Sequence, residues 1–251
     1  QERSVAKYPL ALVPQDDRPH FRAWRKKVRQ YNPNIKLLAY QMVIEETTVP
    51  GPGHDVYRNL KNVWVKYPGG YVPTVTYTTN VGARKKIFDP RNEMWREGFL
   101  KACEAVMNSD EYDGLFLDQC TVYQKAALTV DVRDQMLASL NHALNDLRVR
   151  MPRKILIGNS SSSFPALNGE MNESRPSNLA KETSVDLQRR VPRLELFHYY
   201  HKQDYSESEI EAMFKLAISN RAFFGCSISA QSVRWLNYFD RILRDYRITQ
   251  V

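Results

Sequence analysis

Apolar and polar positions follow two rhythms in this chain: short apolar runs, and longer stretches with apolar residues every third or fourth position. Leu10–Val13 reads as a first strand, followed by a helical pattern from Phe21 to Gln30. Lys36–Val43 reads as a second strand. Pro50-Gly51-Pro52-Gly53 then breaks any regular pattern. Trp64 to Phe88, rich in Tyr, Val and Thr and interrupted at Gly69-Gly70, reads as a third strand elaborated into a hairpin-like insertion around 47–86.

Asp89-Pro90 supplies a cap and a helix-opening proline for an apolar stripe of Met94, Trp95, Phe99, Leu100, Cys103, Val106 and Met107. Asp113-Gly114 turns into a fourth strand, Leu115–Asp118. A long helix with Val132, Met136, Leu140, Leu144 and Leu147 on one face stops near Pro152, before a fifth strand, Ile155–Asn159. Leu167–Glu173 is a sixth strand, and a helix spans about Leu179 to Arg190. Leu194–Tyr200 is a seventh strand, and Ser206-x-x-Glu209 is a capping box for the helix behind it. Phe223–Ser227 is an eighth strand, and Val233, Leu236, Phe239, Leu243 and Tyr246 mark a closing helix.

Eight strands separated mostly by helices predict a single-domain (β/α)8 TIM barrel, an α/β fold. The 251 residues suit that size, and 43% hydrophobic with 25% charged residues excludes a disordered or fibrous chain. GxGxxG and the P-loop are absent, which disfavours a nucleotide-binding doubly wound sheet. No run approaches the roughly 20 apolar residues that a membrane-spanning helix needs. The three cysteines form no CxxC pair, and His198 and His201 belong to no HExxH motif. Neither a metal site nor a cofactor is expected.

Lys and Arg outnumber Asp and Glu by 36 to 28. The basic residues are scattered, and the densest run, Arg25-Lys26-Lys27, reads as the solvated face of an amphipathic helix. Charge alone leaves an acidic polymer open as a partner.

In a barrel the reacting groups stand at the C-terminal ends of the strands. Asp118 follows three apolar residues, which places its carboxylate at the mouth. Alternation in the sixth strand turns Leu167 and Met171 towards the helices and Asn168, Glu170 and Asn172 into the lumen. That favours Glu170 over Glu173, with both left open. Paired carboxylates across a barrel mouth are the requirement of glycoside hydrolysis: one protonates the departing oxygen, and the other attacks the anomeric carbon or activates water. Gln41, Asn159, Glu173 and His198 are candidate sugar-binding polar groups. Tyr199 and Tyr200 join Tyr40, Trp64, Tyr67, Tyr71, Tyr77 and Tyr123 as aromatics suited to sugar rings. Ser160 to Ser163 sits in no GxSxG elbow and reads as a loop.

Asp113-Gly114-Leu115-Phe116-Leu117-Asp118 resembles the fourth strand of barrel glycoside hydrolases of the endo-α-1,4-polygalactosaminidase-like group. Phe88-Asp89-Pro90, Gly158-Asn159 and Leu167-Asn168-Gly169-Glu170-Met171-Asn172-Glu173 are similar to neighbouring segments of the same group and its relatives. The resemblance covers roughly residues 85–175. It implies a barrel, metal-independent chemistry, and catalytic carboxylates at Asp118 and Glu170.

The reading is therefore an O-glycosyl hydrolase acting on a polysaccharide, an acidic or amino-sugar polymer among the candidates. A secreted, cell-surface or virion-borne setting suits that substrate better than the cytoplasm. The competing reading is a catalytically inactive glycan-binding barrel within a larger phage or cell-surface assembly. A nucleic-acid binder is a remote third, since no RNP, helix-turn-helix or OB signature is present.

Overall fold

The computed structural model describes residues 2–44, 66–67, 70–71, 88–122, 129–159, 164–172, 194–199, 206, 208–209, 211–212, 214–215 and 223–226. In chain order the strands are β1 (Leu10–Val13), β2 (Lys36–Met42), β3 (Lys66–Tyr67), β4 (Gly70–Tyr71) and β5 (Gly114–Asp118). They continue with β6 (Ile155–Asn159), β7 (Gly169–Asn172), β8 (Leu194–Tyr199) and β9 (Phe223–Cys226). The helices whose bounds fall among the described residues are α1 (Glu2–Val5), α2 (Pro19–Tyr31), α3 (Glu93–Met107) and α4 (Val130–Arg150).

Seven strands form one parallel sheet in the order β1-β2-β5-β6-β7-β8-β9. Neighbours in this sheet follow one another along the chain, so the winding never reverses. A doubly wound open sheet contains such a reversal, whereas barrel-type folds do not. The architecture is parallel α/β and barrel-like.

Most of the third strand expected from the sequence, over 64–88, lies outside the described residues, and the described sheet has seven strands. β2 pairs directly with β5, from Leu38↔Gly114 to Met42↔Asp118. Within the Tyr-rich segment, β3 and β4 form a separate antiparallel hairpin in which Tyr67 faces Gly70. The glycines that interrupt the run favour tight reversal over a continuous strand. Past the end of β2, the Phe88 N–H donates to the Ile44 carbonyl at 2.6 Å.

Helix ends follow from side-chain capping. The α3 cap is Asn92, whose side chain accepts from the Met94 and Trp95 N–H groups, rather than Asp89 three residues earlier. Asp89 instead accepts from the Arg91 backbone and guanidinium. Thr129 caps α4, and the helix ends at Arg150, just before Met151-Pro152. The Ser206–Glu209 capping box is formed in both directions. The helices expected over 179–190 and after 232 lie outside the described residues.

The sheet is apolar on both faces. Leu37, Ala39, Leu115, Leu117 and Leu156 pack with Val28 of α2, Phe99 of α3 and Leu140 of α4 in the larger cluster. Leu38, Phe116, Ile157 and Met171 form a second cluster on the opposite, inner face, with Leu10, Leu12 and Tyr40 against it. A parallel sheet with buried residues on both faces requires apolar residues at successive positions.

Two matching clamps set the register. At the start of β5, the Asp113 N–H donates to the Leu37 carbonyl at 2.9 Å, and Asp113 Oδ2 accepts from the Leu37 N–H at 2.9 Å. Arg29, in the last turn of α2, donates to the same oxygen. At the start of β7, the Asn168 N–H donates to the Leu156 carbonyl at 2.8 Å, and Asn168 Oδ1 accepts from the Leu156 N–H at 2.9 Å. Arg148, in the last turn of α4, again completes the clamp. Asn168 therefore stands at the base of β7 rather than in the lumen expected for it.

A glycine follows each clamp. A Cβ on Gly114 would lie 1.9 Å from the Ile155 carbonyl oxygen, a clash with backbone that no rotamer relieves. Gly114→Ala is expected to destabilise the protein by about 3 kcal/mol or more. A urea unfolding curve checks this, and a loss below about 1 kcal/mol would show that the strands are not held this closely.

Candidate active site

The register sorts the strand residues into two rows. Tyr40, Phe116, Ile157 and Gly169 align across four strands on the inner face. One pleat nearer the C-terminal edge, Met42 aligns with Asp118 and Asn159 with Met171. On the other face Gln41, Leu117, Gly158 and Glu170 align, in the same layer as the helix-packed core.

Asp118 ends β5 at the C-terminal edge of the sheet. Its Oδ1 accepts from Asn159 Nδ2 of β6 at 2.7 Å and from the Gln119 N–H at 2.8 Å. Its Oδ2 accepts from the hydroxyl of Tyr40 of β2. Three donors from β2, β6 and the following turn thus hold one carboxylate. Tyr40 is steadied in turn against the Phe116 ring, at 5.9 Å between centroids.

Gln119 has φ 55°, the left-handed region that an L residue enters at a cost of about 1–3 kcal/mol. That turn folds its N–H back onto the carboxylate of its own neighbour. It is the one non-glycine residue with positive φ among those described, and it directly follows Asp118.

Gln41, expected to contact sugar, is fully buried. It accepts from Gln15 Nε2 at 2.9 Å and donates to the Met42 carbonyl at 2.7 Å. Gln15 also donates to the Tyr40 carbonyl at 2.8 Å, so the pair binds the end of β1 to β2 behind Tyr40. Asn159 is buried and on Asp118. Glu170 is buried but lies in the row of Gly158, on the helix-facing side, while Met171 packs with Leu38, Phe116 and Ile157 inside. This reverses the facing expected from alternation. Leu167, which precedes β7, does not share a face with Met171, so it misleads as a phase marker. His198 and Tyr199 lie at the C-terminal end of β8, in register with Gly225 and Cys226. Glu173 and Tyr200 lie outside the described residues, as do Trp64, Tyr77 and Tyr123. Tyr67 and Tyr71 belong to the hairpin.

The contribution of Tyr40 as a donor to Asp118 was visible in the sequence only as one aromatic among many. The pairing of β2 directly with β5 creates it. The left-handed Gln119 carries no sequence signal. Among the described residues no group of three His, Cys, Asp or Glu side chains is placed to hold a metal ion.

A second polar cluster gathers around Arg25 of α2. Arg25, buried in α2, donates to the Asp16 carbonyl at 2.7 Å and to Glu111 at 2.7 Å through Nε. It lies 5.0 Å from the Tyr112 ring centroid. Burial pushes the Tyr112 phenol up to about 12, with Arg25 opposing the rise. Arg18 pairs with Asp16 through Nε and NH2 and holds that carboxyl below its usual range.

Cys120 follows the Asp118 turn and is fully buried. Burial pushes its thiol well up, and the charges of Asp118 and Glu170 add to the rise. Cys103 of α3 is likewise buried and raised. Both thiols are therefore expected to react with iodoacetamide at pH 8 at least about a hundredfold more slowly in the native protein than in urea. Mass spectrometry of the labelled peptides reads this, and rapid native labelling of Cys120 would mean that the turn behind Asp118 opens.

No family model and no curated protein matches the chain. Solved structures do. The glycoside hydrolase domain of PelA from Pseudomonas aeruginosa is similar with a TM-score of 0.61 at 15% identity, over 88% of this chain and 94% of that one. An α-galactosidase from Lactobacillus brevis is similar with a TM-score of 0.64 at 9% identity, over 98% of this chain but 37% of the other. The GH36 α-galactosidase AgaA from Geobacillus stearothermophilus gives 0.57 at 11%, over 98% and 39%. The chain thus spans well under half of these galactosidases and nearly all of the PelA domain. The fold is similar to that of these glycoside hydrolase structures.

Proposed function

We propose that the protein is a metal-independent O-glycosyl hydrolase of polysaccharides, built as a single (β/α)8-type barrel with Asp118 as one of two catalytic carboxylates. The observation that carries this reading is the environment of Asp118: a carboxylate at the C-terminal edge of the sheet, oriented by Tyr40, Asn159 and the strained Gln119. The solved structures of similar fold are glycoside hydrolases, which supports the same class.

Both oxygens of Asp118 already accept hydrogen bonds, so the group is arranged to attack or to activate water rather than to present a proton. The general acid then comes from the Asn168–Glu173 segment. Sequence spacing favours Glu173 over Glu170. In the sequence, Glu173 follows Met171 by two positions and Asn168 by five, as Asp118 follows Phe116 and Asp113. The acid protonates the departing glycosidic oxygen while Asp118 acts on the anomeric carbon or its water. Asn159, His198, Tyr199 and Tyr200 are the proposed sugar contacts. A polymer substrate suits a secreted, cell-surface or virion-borne protein.

Reducing-end release from a panel of neutral, amino-sugar and uronic-acid polysaccharides tests the proposal. Asp118→Asn and Glu173→Gln are expected to lose at least about 10²-fold in kcat/KM, and Tyr40→Phe about tenfold. Glu170→Gln is expected to stay within about threefold in kcat while lowering stability. The reverse pattern for the two glutamates would return the acid role to Glu170. Full activity in Asp118→Asn would remove Asp118 from the mechanism. Glycan binding by the wild type without release from any polymer would favour the inactive binding barrel.

A further inference from the structure

The first 36 residues carry nine Lys and Arg against three Asp and Glu, while residues 37–251 carry 27 against 25. The basic charge is therefore concentrated in the β1–α2 unit and α1 rather than scattered. α2 holds five Lys and Arg and no acid over Pro19–Tyr31.

Two of those five have structural work. Arg25 turns inward to Glu111, and Arg29 completes the clamp on Asp113. Arg22 pairs loosely with Asp17 at 3.5 Å, both well exposed. Lys26 and Lys27 are exposed and make no ion pair among the described residues; the acid facing Lys27 is Glu2 of α1. Arg3 of α1 adds a further exposed cation, 5.2 Å from the ring of the exposed Tyr31.

Arg22 and Lys26 are one helical turn apart, where like charges repel, and the first turn of α2 lacks the acid that the helix dipole favours. The wall also has a direction. α2 starts beyond the C-terminal end of β1, the edge of the parallel sheet that carries Asp118, and runs back from it.

We infer that this cationic wall of α1 and α2 docks an anionic polysaccharide, a polymer bearing carboxylates along its length, whose chain extends to the Asp118 edge. The inference rests on the hydrolase reading and narrows its substrate class to acidic rather than amino-sugar polymers. A polymer engages wall and site together, so the wall adds avidity without touching the reacting bond. Docking of this kind is screened by salt.

Affinity electrophoresis of the full chain in gels containing polygalacturonate, its carboxyl-reduced neutral counterpart, or duplex DNA tests the inference. Wild type and Asp118→Asn are expected to be retarded equally by polygalacturonate and not by the neutral polymer, with retardation lost at high salt. The Arg22→Glu, Lys26→Glu, Lys27→Glu variant, with circular dichroism confirming its fold, is expected to bind at least about tenfold more weakly. Equal retardation by the neutral polymer, no retardation by any polymer, or unchanged binding by the charge variant overturns the inference. Tighter binding to DNA reassigns the wall to nucleic acid. Because Asp118→Asn binds in this assay whether or not the wild type hydrolyses, failure of docking and failure of the hydrolase reading are read separately.

Discussion

The register of the parallel sheet is the constraint on which everything else depends. Side chains alternate strictly along a strand, so a slip of one residue exchanges the inner and helix-facing sets completely. Here the register is held at the base of the sheet by Asp113 on Leu37 and by Asn168 on Leu156. Arginines from the ends of α2 and α4 complete the two clamps. Each clamp satisfies a backbone N–H with a side-chain oxygen before the regular ladder begins, where an unpaired group costs about 1–3 kcal/mol. Gly114 then allows the strands to approach where any side chain would strike the Ile155 carbonyl.

Function inherits this arrangement. The motif Asp113-Gly114-x-x-x-Asp118 divides in two: its first half fastens the base of β5, and its last residue emerges at the opposite edge among Tyr40, Asn159 and Gln119. The base residues fasten the sheet, and the edge is where barrel-type folds place their reacting groups. The left-handed Gln119 is strain held in place by the buried residues on either side, Leu117 and Cys120. Pre-orientation of the carboxylate is what that strain supplies.

Much of the sheet was legible because apolar runs of the right length repeat with helical stretches between them. Six of the seven strands of the described sheet fall within segments predicted as strands, and β5 starts one residue early, at Gly114 rather than Leu115. Of the expected third strand over 64–88, only 66–67, 70–71 and 88 are described, and a Tyr- and Val-rich stretch satisfies strand propensity whether it enters the main sheet or pairs with itself as Lys66–Tyr67 does with Gly70–Tyr71. The position of Asp118 at the C-terminal edge of β5 was legible from the three apolar residues before it. The facing of Glu170 was not, because Leu167 precedes β7 and packs in the helix-side cluster, whereas Met171 lies inside. Phase read from Leu167 therefore inverts the strand. Nor does a composition count reveal that α2 gathers the cations on one wall, since Arg25 and Arg29 are spent inside on Glu111 and Asp113.

The register of β7 is open to direct measurement by nuclear Overhauser spectroscopy on protein labelled at methionine and isoleucine methyls, with the remaining side chains deuterated except for phenylalanine. The Met171 methyl group is expected to show contacts to the Ile157 methyls and the Phe116 ring. Replacing Ile157 with Val assigns the first of these. Contacts from Met171 to the Met136 methyl of α4, with none to Phe116 or Ile157, would place Met171 against the helices. Glu170 would then turn to the face of Asp118, contradicting the account.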